Sequence, residues 1–416
     1  MSNYPDVKFT LGQGGLGRTA PNTDGICGMV TTGVATTATA TTSALPLNTS
    51  VKLLSVIDAE SYGLSDAYDA TNKVLVYYHI SEFFRINPNG ILWLRIVAQT
   101  QTLTNLTNKA VTNNALQLLI DANGEINTLA INRNPLDTYT PTLSGGLDAD
   151  VLSAVQNAQA LADAEFVNHR PLYIIIEGRS FNGSAAAATD LRASAPAAPN
   201  VSVCIGQDFS KVGTSSIDVI KASACIGTML GAVSKAAVHE NIGWVQNFDL
   251  SDSTHFKQVS LSSFNQIGTY TDTDLAALYD KGYVFVRRYV GNTGAYFCGQ
   301  HTSVSVTSDY AYGMNIRTIN KAIKAVYLEL LPRLNSPLLL DSAGKMAPET
   351  LGGFRAAALR GLDNLSREGN ISDREVYLDP NQNVLAANKV NVRIRIIPVG
   401  FAEGIEVNIG FTASLA

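Results

Sequence analysis

Charge is scarce in this chain. Only 16% of its 416 residues are Asp, Glu, Lys or Arg, against about 25% in an ordinary globular domain. The 30 basic and 35 acidic residues leave a net charge of -5. No basic surplus exists to neutralise a phosphate backbone, which excludes nucleic-acid binding as the main task. A 46% hydrophobic share excludes wholesale disorder. So many apolar residues beside so few charges fit a surface covered by neighbouring subunits. Cysteine is sparse too. Cys27, Cys204, Cys225 and Cys298 form no C-x-x-C pair and no disulfide framework, as expected of a chain kept in a reducing compartment. The start, MSNYPDVKFT, lacks a basic region followed by an apolar one, so no secretory signal is expected. The longest uncharged apolar stretch, ASACIGTMLGAVS, is too short to span a bilayer, and no membrane insertion is expected.

Motifs that carry chemistry are missing as well. Gly12, Gly14 and Gly17 match G-x-G-x-x-G, but RTAPNTDG follows where a dinucleotide site needs a helix. With Gly15, these glycines read as a flexible joint. Cys298 and His301 sit three apart without a second pair of zinc-like spacing, and HENIG lacks the second His of H-E-x-x-H. No nucleophile elbow or Walker loop occurs. The expectation is no catalytic residue, no metal and no cofactor.

What is present is periodicity. Val7, Phe9 and Leu11 alternate with polar residues ahead of the glycines, a half-buried strand without an adjacent hairpin partner. Residues 31–42 hold seven threonines, which favour strand or packed loop over helix. NKVLVYYHI, ILWLRIVAQ, PLYIIIEG and VSVCIGQD read as strands, while 148–166 and 216–239 have helical spacing. Strands alternating with helices predict an α/β layer built from βαβ units. From about Ser263 a short helix and two strands lead to the most regular helix, with Ile316, Ile319, Ile323, Val326 and Leu330 on one face. Asp309 reads as its N-cap and Pro332 as its stop, and a second helix begins near Pro348. Arg317, Lys321 and Lys324 fall roughly opposite the apolar stripe, as a solvated basic face or one that meets an acidic protein surface. Two strands close the chain. Val390, Val392, Ile394 and Ile396 share one face of the first, and Ile405, Val407, Ile409 and Phe411 one face of the second.

The C-terminal third, KGYVFVRRYVGNTGAYF, then SDYAYGMNIRTINKAIKAVYLELLPRL, then VYLDPNQNVLAANKVNVRIRIIPVGFAEGIEVNIGF, resembles the tail sheath proteins of contractile phages and injection machines. The opening PDVKFTLGQGGLGRTAPNTDGICGMVTTG looks like a sheath N-terminus, whereas 30–260 match only in coarse α/β character. The resemblance implies an α/β (α+β) fold whose inner domain of mixed sheet and helices is formed from both chain ends, with an inserted outer α/β domain. It divides the chain into a linking arm (1–22), an outer domain (23–262), an inner, tube-proximal domain (263–398) and a second linking arm (399–416). It further implies a non-enzymatic subunit that stacks in six-fold rings around an inner tube and contracts to drive that tube through an envelope. The implied partners are other copies of the chain, the tube protein, and baseplate and tail terminator proteins, assembled in the bacterial cytoplasm into a virion tail or an injection machine. Strands holding Val7, Phe9, Leu11, Val390, Val392, Ile394, Ile405, Val407, Ile409 and Phe411 would link subunits by β-augmentation. Gly12, Gly14, Gly15 and Gly17 would be the hinge, and Arg317, Lys321 and Lys324 would face the tube. The rival readings are another structural tail component, such as a tube or ring protein, and an α/β enzyme housed in residues 30–260.

Overall fold

The computed structural model of the chain describes residues 23–110, 114–342, 344–382, 384 and 388–412. Val7, Phe9, Leu11 and the four hinge glycines lie outside the described residues. The α/β class read from the sequence holds. A seven-stranded sheet forms the centre of the first body, from β1 (Ile26–Gly33), β2 (Ser50–Leu53), β3 (Ile91–Ala98), β4 (Thr128–Asn132), β5 (Tyr173–Glu177), β6 (Val201–Cys204) and β7 (Tyr283–Val284), in spatial order β7-β6-β5-β4-β1-β3-β2. All neighbours run parallel except β2, which is antiparallel to β3. A parallel sheet must be covered on both faces, and the strands alternate accordingly. Ile174 and Ile176 of β5 enter one core, while Tyr173 and Ile175 enter the other. Helices α1 (Val76–Ile86) and α3 (Ile226–Lys235) cover the second of these faces, and α2 (Ala149–Val167) with α4 (Asp272–Asp280) the first.

One sequence expectation needs correction here. NKVLVYYHI, read as a strand, enters helix α1 instead. The Asp69 carboxylate accepts the otherwise orphaned N–H groups of Tyr77 (3.0 Å) and Tyr78 (2.9 Å) in its first turn. Val76, Ile80, Phe83 and Phe84 then bury one helical face. Tertiary burial and this capping outweigh the strand propensity of a Val- and Tyr-rich run. Residues of the 263–301 stretch also pack into the first body: β7 pairs with β6, and Leu278, Phe285 and Phe297 complete its cores.

The second body begins with α5 (Gly313–Leu330) and contains α6 (Pro348–Arg367) and an antiparallel pair, β8 (Ile371–Tyr377) and β9 (Arg393–Pro398). Helix α5 starts four residues past the expected Asp309 cap, with Tyr312 at the N-cap position. Proline at the first turn of α6 and Gly369 (φ +72°) after its end match the sequence reading. Ala322, Phe354, Leu362, Leu365, Ile371 and Val376 form the small core, with Val390, Val392, Ile394 and Ile396 packed against it. Helices α5 and α6 cross so closely that a Cβ at Gly361 would lie 2.9 Å from the Ala325 carbonyl oxygen.

Candidate assembly interface

Helix α5 joins the two bodies, and its three cations reach groups of the same chain. Arg317 is only 4% exposed. Its guanidinium donates to the carbonyls of Ala236 (2.8 Å) and Ala237 (3.1 Å), just past the C-terminus of α3, where unpaired carbonyls attract a cation. Lys321 lies 2.5 Å from Asp24 and 2.6 Å from Glu368. Lys324 donates to the Gly124 carbonyl (3.2 Å) and to Asn127 Oδ1 (2.5 Å), and burial pulls its pKa down to about 8. The three cations bind the first body, with Glu368 of the second body beside Lys321. They are buried or half-buried, so they do not form the fully solvated face that the spacing allowed.

The apolar stripe is only partly covered: Ile316 is buried in the core of the first body and Val326 and Leu330 pack on the small core of the second, while Ile319 and Ile323 between them are half-buried. Ile319, Ile323 and Val326 of α5 form one wall of a groove of about 730 Å³, and Ile394 and Ile396 of β9 form the other. His169, stacked on Tyr327 at 4.3 Å, and Tyr310 border it. Strand β9 pairs with β8 in the register Val376↔Ile394 and Arg374↔Ile396. The sheet has only these two strands among the described residues, so the other edge of β9 presents unpaired backbone groups beside an apolar groove. An edge of that kind accepts a further strand.

The chain also holds an unpaired apolar row. The strand expected over 405–411 is absent as such: residues 399–411 carry no strand assignment, and the β8–β9 ladder ends at Pro398. An extended segment without a ladder partner has nothing to hold it as a strand. Ile405, Val407 and Ile409 are 82%, 75% and 90% exposed, and Phe411 is fully exposed.

Other expected features resolve into packing. Cys298 Sγ accepts the Phe285 N–H (3.4 Å), and buried His301 meets the Tyr283 carbonyl through Nδ1 (3.3 Å). No group of three potential metal ligands occurs among the described residues. His239 Nδ1 contacts Asn370 Oδ1 at 3.0 Å, tying the loop after α3 to the start of β8. The strand order β3-β1-β4-β5-β6 puts a topological switch point between β1 and β4, where doubly wound sheets bind ligands. Here Asn134 fills that position. Its amide nitrogen donates to Thr31 Oγ1 (3.0 Å) and the Thr32 carbonyl (2.8 Å), and its Oδ1 accepts the Leu75 N–H (3.0 Å). Among the described residues no helix is long and apolar enough to cross a membrane.

The fold made by these two bodies is shared with contractile sheath proteins. The chain is similar over its full length to the helical sheath of the anti-feeding prophage in its contracted state, at 16% identity and a TM-score of 0.63, with 100% of each chain covered. It is similar to a chain in the six-fold symmetrised baseplate of the same particle, at 15% identity and a TM-score of 0.61, again with 100% of each chain covered. A third likeness is to the sheath of an extracellular contractile injection system, PVC, at 14% identity and a TM-score of 0.56, covering 100% of this chain and 98% of that one. The chain belongs to the DUF2586 family: residues 4–301 match its N-terminal domain and 309–416 its C-terminal domain. The step between those two matches coincides with the boundary between the two bodies. No curated protein matches the chain.

Proposed function

We propose that this chain is the structural subunit of a contractile sheath, stacking as six-fold rings around an inner tube and contracting to drive that tube through a target envelope. The observation that supports this reading is an internal mismatch. One end of the chain exposes Ile405, Val407, Ile409 and Phe411 as an unpaired row, while the second body leaves a strand edge and an apolar groove open. Burying four such side chains is worth several kcal/mol, at about 1.5–3 kcal/mol each. A second copy supplies the matching groove. The N-terminal strand with Val7, Phe9 and Leu11, carried on the joint at Gly12, Gly14, Gly15 and Gly17, makes a further link to another copy. Linked in this way, subunits change their packing during contraction while the strands hold them together, and no nucleotide is consumed.

The other partners in this reading are the inner tube protein, a baseplate and a tail terminator, with assembly in the bacterial cytoplasm. Negative-stain microscopy of the purified full chain tests the proposal. Tubes or rings that disappear on deletion of residues 404–416 support it, and discrete monomers at high concentration contradict it.

A further inference from the structure

The C-terminal segment is not free from the end of β9 onward. Five residues beyond Pro398, the Glu403 carboxylate accepts hydrogen bonds from two tyrosine hydroxyls, those of Tyr279 and Tyr312, the latter at 2.8 Å. Tyr279 lies on α4 in the first body, and Tyr312 is the residue at which α5 begins. The Phe401 ring packs edge-on against Tyr312, with centroids 5.0 Å apart. Tyr279 is itself braced edge-on by buried His301 at 4.1 Å. The same His301 ring lies edge-on to Tyr312 at 5.7 Å, so both tyrosines also pack on the body itself. Their hydroxyls remain donors because burial, then the carboxylate, raise both pKa values, that of Tyr312 to about 12. Gly400 and Gly404 flank the contact, and neither has a neighbouring atom where a Cβ would stand. Beyond Gly404 the exposed apolar row begins.

We infer that Glu403 is a positioning residue: it roots the C-terminal arm on Tyr279 and Tyr312, so that the arm swings from Gly404 and not from Pro398. This deepens the strand-exchange reading above and rests on it for its consequence. An arm free from Pro398 carries Phe411 as far as roughly 45 Å, whereas an arm rooted at Glu403 carries it only about 27 Å, at ~3.4 Å per extended residue. The root therefore limits which neighbouring copy the row can reach. Because it joins the arm to the junction of the two bodies, it also makes the arm's starting point move with that junction.

The test uses the full-length protein with a nitroxide on Ala402→Cys or on Ile409→Cys. The label at 402 is expected to be slow in the parent and fast once Glu403→Ala is added, while the label at 409 is fast in both. Glu403→Gln, whose amide oxygen still accepts from a tyrosine hydroxyl, restores much of the slow motion at 402. In assembled material, intersubunit crosslinking between Val407→Cys and Val392→Cys should fall several-fold with Glu403→Ala and recover with Glu403→Gln. A label at 402 that is equally mobile with and without Glu403, or crosslinking unaffected by Glu403→Ala, overturns the inference. Deletion of 404–416 separates the two claims. Assembly that survives the deletion defeats strand exchange, while the mobility at 402 still decides whether the root exists.

Discussion

Lys321 Nζ lies 2.5 Å from the Asp24 carboxylate. The pair fixes the first described turn of the chain to α5, the helix that also begins at Tyr312 and walls the apolar groove. Tyr312 and Lys321 are nine positions apart, roughly 13 Å along a helix at 1.5 Å per residue. Asp24 and Glu403 are thus both tied to one helix, which also walls the groove that a neighbour's segment would enter.

The first prediction concerns Arg317. Its substitution by Glu leaves the carbonyls of Ala236 and Ala237 without donors and puts a carboxylate against them. Breaking a buried charged contact of this kind costs about 3–5 kcal/mol. Urea denaturation of the Arg317→Glu variant should show a loss of that order, visible in the unassembled protein. Wild-type stability would return Arg317 to the surface.

Lys321 is expected to behave more mildly. Its ion pairs are partly exposed, and Lys321→Met should cost about 1 kcal/mol. The measurable consequence is local. Hydrogen exchange should quicken at residues 24–26 and little elsewhere. Uniform quickening across the first body would contradict a local tether.

Gly361 tests the packing that shapes the groove. A Cβ there meets the Ala325 backbone at 2.9–3.0 Å, and backbone cannot give way as a side-chain tip does. Gly361→Val should destabilise the second body by about 2 kcal/mol or more through overpacking. A matching loss of assembly is expected, because α5 and β9 form the groove together. A thermally unchanged variant would mean that the helices cross less closely.

Acid should weaken the contribution of two histidines to the fold. Burial lowers the pKa of His79 to about 3 and that of His301 to about 4, below the unfolded value near 6.5. The unfolded chain then binds more protons than the folded one between those values. The histidines' contribution therefore falls as pH drops below about 6.5, by up to ~1.4 kcal/mol per pH unit for each. The buried Asp69 carboxyl, raised to about 7, acts in the opposite sense, so the comparison is between the parent and His301→Gln, which share it. Between pH 7 and pH 5 the parent's denaturation midpoint should change less favourably than the variant's, and an equal change in both would contradict neutral burial of His301.

Much of the fold was legible in the sequence, and the failures have physical causes. Periodicity placed α2, α5, α6 and β9 because each buries one regular face. It misread α1, since Val-Leu-Val-Tyr-Tyr has strand propensity and the Asp69 cap lies seven residues before Val76. Spacing put Arg317, Lys321 and Lys324 on one side of α5, but no sequence pattern says which side meets the rest of the protein. Their actual acceptors, Ala236, Ala237, Asp24 and Asn127, are scattered over more than 200 residues. The Glu403 contact left no signal at all, because Tyr279, Tyr312 and Glu403 come together only through the junction of the two bodies. The apolar row at 405–411 was plain in the sequence, and its exposure among the described residues emerged only from the fold.

The central claim is that this row pairs with another copy, and disulfide trapping tests it most directly. Val392→Cys lies just before β9 and Val407→Cys within the exposed row, while three of the four native cysteines are buried and Cys298 is half-buried. Oxidation of the assembled double variant should give covalent ladders of increasing size on a denaturing gel, each rung adding one chain. Bonds formed only within single chains would mean that the segment folds back on its own β9, and the exchanged-strand account would be wrong.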